Sequence, residues 1–213
     1  MSLNITPGVH WHGGWEAGRV EGNRQLYDYE LVFFSAGRGR IVFPECTFHC
    51  VEGSVAIVPP GSVHCTIADE PVHRWCIHFD WRGEWQGSSG GSLPFVYLDS
   101  RRHFNASEAA LPPPPELQMT FPFFLELRDE ELEHFRGRVQ EYFDDGRENL
   151  AGALNRKGLL LQLLSMLVHS ESRLPKSADN RHFLRAKSFL DSNYALPSIG
   201  LQETAAAVNV TPN

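Results

Sequence analysis

Seven residues combine a side chain able to grip or coordinate a small polar molecule with a strand position expected to face one interior: Arg24, Glu30, His64, Thr66, Arg74, Cys76 and His78. Guanidinium and imidazole groups donate hydrogen bonds to hydroxyls and carboxylates, while Glu30 and Thr66 return acceptors. Imidazole and carboxylate are also metal ligands, so the same residues raise a second chemistry. Each has a plainer alternative. His64 can cap its own turn, Arg74 can sit on the surface in an ion pair, and His78 can be a satisfied core histidine.

Strand alternation selects these positions, because successive side chains of a strand point to opposite faces. If His64 faces inward, so does Thr66. On the strand Arg74-Trp-Cys-Ile-His-Phe79, either Arg74, Cys76 and His78 or Trp75, Ile77 and Phe79 face inward. The second set is apolar and suits a face covered by helices, which leaves the first for the interior. Asp28 and Glu30 share a face with Val32 and Phe34, and Arg24 is expected to reach over the mouth. The segment around His10, Trp11, His12, Gly13, Gly14 and Trp15 is expected to close over the pocket or, as the simpler case, to plug the barrel end with its tryptophans.

The segment Gly53-Ser-Val-Ala-Ile-Val-Pro59-Pro60-Gly61-Ser-Val-His64 resembles the second cupin signature: Gly, five residues, Pro-x-Gly, two residues, His. Gly53 permits the turn into a strand and Pro59-Pro60-Gly61 bends the chain out of it. The first cupin signature is half present, with Glu30, six residues and Gly37. Its two metal-binding histidines fall within Asn23 to Leu26, which holds none. His10, His12, His49, His73 and His78 lie elsewhere in the region, and Cys46, His49 and Cys50 have loose metal-like spacing. On one strand Cys46, Phe48 and Cys50 face one way and Thr47 and His49 the other, so these three cannot share an ion unless the strand is interrupted. No metal and no other cofactor is expected.

The elements that position these residues come in two kinds. From about Trp11 to His103 the chain is rich in β-branched and aromatic residues punctuated by Gly and Pro, the pattern of a sandwich or barrel. Tyr27 to Phe43 reads as a hairpin around Gly37-Arg38-Gly39, and Thr47 to Ile67 as three strands separated by turns. Gly87 to Gly91 is a flexible loop and Pro112 to Pro115 a junction. After it, Leu132, Phe135, Val139, Tyr142 and Phe143 recur at helical spacing behind Asp129-Glu130-Glu131. A second helix, from about Arg147 to Ser170, carries one stripe at Leu150, Leu154, Leu161, Leu164 and Val168 and another at Leu160, Leu163 and Leu167. One stripe is expected to pack on the first helix or the barrel and the other to hold a partner chain, although a helix sunk wholly in a core fits the same pattern. Residues 173–180 read as a linker.

The last residues form an amphipathic helix with Phe183, Ala186, Phe189 and Leu190 on one face, a break at Pro197 and a short helix from Leu201 to about Val208. A turn at Asn209-Val210 and an N-cap at Thr211 follow. Leu201, Glu203, Ala205, Val208, Val210 and Thr211-Pro212 resemble the first helix-turn-helix of AraC/XylS-family bacterial transcription regulators, with Gly200 where a hydroxyl cap is usual and Thr204 in place of an aliphatic residue. A metal-poor cupin barrel, acidic helices and a helix-turn-helix, in that order, resemble the same family. The fold class implied is mainly β with α: a cupin-like (double-stranded β-helix) barrel, a helical pair and a truncated helix-turn-helix.

Domains are accordingly expected at 1–105 (effector-binding barrel), 106–172 (helical dimerisation region), 173–180 (linker) and 181–213 (start of the DNA-binding domain). The resemblance implies a non-enzymatic regulator that senses a sugar or other small polar effector, forms a homodimer and reaches DNA through a C-terminal domain extending beyond Asn213. The alternative is a metal-dependent cupin enzyme, a dioxygenase or sugar isomerase. A net charge of −7 argues against these residues being themselves the nucleic-acid-binding part. Acid is concentrated in the middle: residues 106–172 carry six Lys/Arg against twelve Asp/Glu, whereas residues 173–213 carry five against three. The four cysteines fit a reducing compartment as small buried hydrophobes. With no apolar run of membrane length and no secretion leader, a cytoplasmic location away from the membrane is expected.

Overall fold

A computed structural model describes residues 4–83, 93–114, 117, 119–173, 186, 189–190 and 200–207. Among the described residues, ten strands form two five-stranded antiparallel sheets. One contains, in spatial order, β1 (Thr6–Trp15), β8 (Val72–Asp80), β3 (Tyr29–Ala36), β6 (Ser54–Val58) and β10 (Phe123–Glu126). The other contains β5 (Thr47–Cys50), β4 (Gly39–Val42), β7 (His64–Ala68), β2 (Val20–Leu26) and β9 (Phe95–Tyr97). The chain passes from one sheet to the other between most consecutive strands, which is how two sheets come to close over one interior.

This crossing corrects the hairpin expected around Gly37. β3 pairs with β6 and β8 while β4 pairs with β5 and β7, so Gly37-Arg38-Gly39 is a corner between sheets and not the turn of a ladder. Gly37 has φ +80, and a Cβ there would overlap the Pro71 carbonyl, so the corner admits only glycine. The local pairing is instead β4 with β5. Gly53 has φ +90 and receives the backbone after β10: the Leu127 N–H donates to its carbonyl at 2.9 Å.

Alternation separates two cores. Tyr29, Leu31 and Phe33 of β3, Val55 and Ile57 of β6 and Ile77 and Phe79 of β8 face outward into an apolar layer. That layer is closed by α1 (Asp129–Asp144), through Phe135, Val139 and Tyr142, and α2 (Leu150–Arg173), through Leu159, Leu160, Leu163, Leu164 and Leu167. The opposite faces of the same strands carry Val32, Phe34, Ala56, Val58 and Cys76 into the barrel, where they meet Leu26, Ile41, Cys50 and Ala68 of the second sheet. The acidic first turn of α1 suits the positive end of its dipole.

Three expectations change here. Strand β10 falls inside the stretch expected to be helical; its Phe123 and Leu125 pack in the outer layer, so the sheet runs past residue 105. Leu164 is 3% exposed and joins the inner stripe of α2, because residues 160, 163, 164 and 167 share one face. The outer stripe reduces to Leu150, Leu154 and Leu161, at 76%, 61% and 40% exposed, with half-buried Val168. The N-terminal segment is neither a flap nor an end plug: β1 is an edge strand registered against β8 from Thr6↔Asp80 to Trp15↔Val72.

Of the terminal region, α3 (Leu201–Ala207) is present. Glu203 accepts from the Gly200 N–H at 3.0 Å, the reciprocal half of a capping box whose hydroxyl half a glycine cannot supply. The linker at 173–180, apart from helical residue 173, the expected turn after 207 and the loop at 87–91 lie outside the described residues. No helix among those described is long and apolar enough to cross a membrane.

Candidate functional site

All seven nominated residues lie inside the barrel and are buried. β3 delivers Glu30, β8 delivers Arg74, Cys76 and His78, β7 delivers His64 and Thr66, and β2 delivers Arg24. The register places Glu30 opposite His78 and Arg24 opposite His64, so one polar layer spans both sheets. Arg24 does not reach over a mouth. It is fully buried and donates from Nη2 to Glu30 Oε2 at 2.7 Å.

Around that ion pair the geometry is dense. His78 Nδ1 donates to Asp28 Oδ1 at 2.6 Å, and its Nε2 lies 3.4 Å from Glu30 Oε1, a contact of charge more than a directed hydrogen bond. His64 Nε2 is 4.0 Å from Glu30 Oε2, while its Nδ1 donates to the Ser62 carbonyl at 3.1 Å. Arg74 donates to Glu21 Oε2 at 3.0 Å and lies 3.5 Å over the ring of Trp15. Arg24 sits over Phe95, and Trp11 packs on His78 at 4.8 Å between ring centroids. Cys76, opposite Val32 and fully buried, belongs to the apolar part of the interior, where burial keeps its thiol protonated.

Electrostatics assign the protons. Burial alone would raise Glu30, but Arg24, with His78 and His64, holds it well below the usual carboxylate range. Burial and the neighbouring Arg24 push His64 down to about 4, so its ring is neutral and, with Nδ1–H given to Ser62, its Nε2 is an acceptor. Burial would also lower His78, yet the Asp28 carboxylate, with Glu30 behind it, lifts it to about 9. Burial raises Asp28 to about 6 against the pull of His78, leaving a carboxylate at neutral pH.

A pH prediction follows from His78. A folded-state value of about 9 lies above the ordinary 6.5. The contribution of a protonated His78 is therefore complete near pH 6.5, just above the Asp28 value of about 6, and is lost as pH rises to 9. Wild-type protein is expected to lose about 3 kcal/mol of unfolding free energy across that window. The double variant Asp28→Asn/His78→Gln, which also removes the buried carboxyl that His78 holds down, should be flat there, as read from urea titrations at a series of pH values. A wild-type curve without that slope would mean His78 is not an imidazolium.

The interior residues expected from the sequence do not include Glu21, while Trp11 and Trp15, expected over the pocket or at the barrel end, flank the polar layer from β1 instead. Glu21 and Arg24 are three residues apart and would face opposite ways on a regular strand. A register shift in β2 between them turns both inward. Composition gives no sign of it. The tryptophans had a legible signal, because Trp11 and Trp15 share parity on β1, but their partners depend on which strand lies beside β1.

A divalent metal, which the cupin signature implies, does not fit this donor set. Glu30 is already bound by the guanidinium of Arg24, which stands in the stretch where the signature places metal-binding histidines. A fixed cation at 2.7 Å from the central carboxylate repels a second one. Among the described residues no three His, Cys, Asp or Glu side chains converge as metal ligands. His10 and His12 lie on the outer side, against Tyr142, Phe143 and Trp75, and His49 is exposed.

No protein-family model matches the chain, and no curated protein does. Similar solved structures include a conserved protein of unknown function from Streptococcus pyogenes, at 17% identity over 36% of this chain and 73% of that one, with TM-score 0.32. A cupin superfamily protein from Desulfitobacterium hafniense is 13% identical over 36% of this chain and 76% of its own, with TM-score 0.32. Salicylate 1,2-dioxygenase from Pseudoaminobacter salicylatoxidans is 13% identical over 36% of this chain, with TM-score 0.32, and the match spans only 24% of that enzyme. The fold rests on the two interleaved sheets themselves: a mainly β, double-sheet barrel with solved cupins among its similar structures.

Proposed function

We propose that the barrel is a non-catalytic receptor for a small polyhydroxylated or otherwise polar molecule, serving as the sensor of a transcription regulator of the AraC/XylS kind. The observation that carries the reading is the set of polar atoms in the interior that are buried and without a hydrogen-bond partner. Arg24 Nε and Nη1, Arg74 Nη1 and His78 Nε2 are donors; Asp28 Oδ2, Glu30 Oε1 and His64 Nε2 are acceptors. Buried polar atoms left unpaired cost about 1–3 kcal/mol each. Donors and acceptors mixed within one layer and flanked by Trp11, Trp15 and Phe95 suit hydroxyl groups, which both give and accept hydrogen bonds.

Signalling needs a ligand that prefers one arrangement of barrel and helices over another. The outer layer offers the route, since β3 and β8 carry the interior groups on one face and the contacts to α1 and α2 on the other. The exposed stripe Leu150, Leu154 and Leu161 supports pairing with a second copy of the chain, and α3 supports a helix-turn-helix beginning at Leu201. DNA would be the partner of that module.

A thermal-shift screen of sugars and organic acids, run with metal analysis of the purified protein, tests the reading. A ligand at a hundred times its Kd adds about 2.7 kcal/mol, roughly 5–10 °C in Tm for a chain of this size. Stoichiometric bound metal with turnover would replace the receptor by an enzyme. A screen in which no compound moves Tm would leave only a scaffold.

A further inference from the structure

The two interior arginines converge on one oxygen. Glu21 Oε2 lies 3.0 Å from Arg74 Nη2 and 3.2 Å from Arg24 Nη2. A guanidinium is a fork built for both oxygens of a carboxylate. Here two forks share a single oxygen, while Arg24 Nε and Nη1 and Arg74 Nη1 have no partner. Glu21 also differs from the rest of the cluster in position. Its side chain is 12% exposed, against 0% for Arg24 and Glu30 and 3% for Arg74, and it stands at the register shift of β2. Glu21 is thus the acid of the cluster nearest to water, whereas Arg24 and Glu30 are closed off from it.

We propose that the Glu21 carboxylate is an internal stand-in for the carboxylate of the barrel's ligand, so that the effector class is a small organic monoacid that displaces Glu21 from Arg24 and Arg74. This rests on the reading of the barrel as a small-molecule site and narrows it. The exchange replaces one carboxylate by another, so the charge of the interior is conserved and no guanidinium is left bare in low dielectric. A phosphate would bring additional negative charge beside Glu30 and Asp28. A neutral sugar could meet the free donors with its hydroxyls, but would leave both guanidinium forks sharing the one oxygen of Glu21. Hydroxyls on the acid would still use His64 and His78, and the rings of Trp15 and Phe95 behind the two guanidiniums hold the forks in position.

The test is rescue by the bare functional group. In Glu21→Ala, sodium acetate is expected to raise Tm in a saturable manner by roughly 3–6 °C at ten times its Kd. Sodium chloride at matched ionic strength should not, and adding Arg74→Met should abolish the response. Glu21→Gln, which keeps the volume and one acceptor, serves as a second host should the alanine variant fold poorly, with the same expectation at higher acetate concentration. Wild type should respond more to galacturonate than to galactose. An acetate response no larger than that to chloride in a folded Glu21 variant overturns the proposal. If neutral sugars then still raise the Tm of wild type, the receptor reading survives it; if no compound does, both fall together.

Discussion

Arg24→Met is expected to lower the unfolding free energy by roughly 3–5 kcal/mol, because it strips the cation from a carboxylate that has no access to water. Glu30 is fully buried, and its shortest contact is the 2.7 Å bond from Arg24. The imidazolium of His78, 3.4 Å away, offsets part of the loss and places the effect in the lower half of that range. The pH dependence should change sign as well as size. In wild type, Glu30 sits below its ordinary value, so its contribution is present above about pH 4.5 and is lost as pH falls through the folded-state value. Without Arg24, burial dominates and lifts Glu30 above 4.5, so the variant gains stability as the pH is lowered. Glu30→Gln added to Arg24→Met should recover part of the deficit, since a neutral amide needs no cation. Urea unfolding followed by tryptophan fluorescence gives all these values. A loss below about 1 kcal/mol would place the pair among weak, water-screened bridges and remove the basis for a dry receptor interior.

Phe135→Ala should cost a similar amount, about 3–5 kcal/mol, by an independent route. Phe135 is fully buried and meets Phe33 edge-to-face with ring centroids 5.3 Å apart, at the centre of the layer that joins the first sheet to α1 and α2. The cavity left would be lined by the sheet and by both helices, none of which can close it without breaking other contacts. The variant should retain the alkaline slope that depends on His78, because Phe33 points away from the barrel interior that holds His78. Loss of that slope in Phe135→Ala would mean the two layers are a single cooperative network. Such coupling would itself be a route from ligand to helices, and comparing the two variants at pH 6.5 and 9 decides it.

The two substitutions probe the opposite faces of the same strands, and the contrast explains how much the sequence revealed. Of the two faces of β8, the apolar Trp75, Ile77 and Phe79 better suit a helix-covered side, which favours Arg74, Cys76 and His78 for the interior; the structure has them facing that way. The same alternation set Glu30 and His64 in the interior. Arg24, expected to reach over the mouth, is instead buried in the polar layer, since nothing in Asn23 to Leu26 says which strand will lie opposite. β7 brings His64 beside Arg24 and β9 brings Tyr97, and together they enclose it.

Period-two patterning within single strands therefore determined which residues face the interior, because side-chain direction is a local property of extended backbone. The tertiary structure alone decided who meets whom. The crossing at Gly37 between sheets, the placement of β10 beside β6, the register shift that turns Glu21 inward and the sharing of Glu21 by Arg24 and Arg74 all depend on contacts between segments distant in the chain. A sequence pattern records the direction of each side chain; only the closed barrel fixes the distances between them, and it is those distances that separate a guanidinium-filled interior from a metal site.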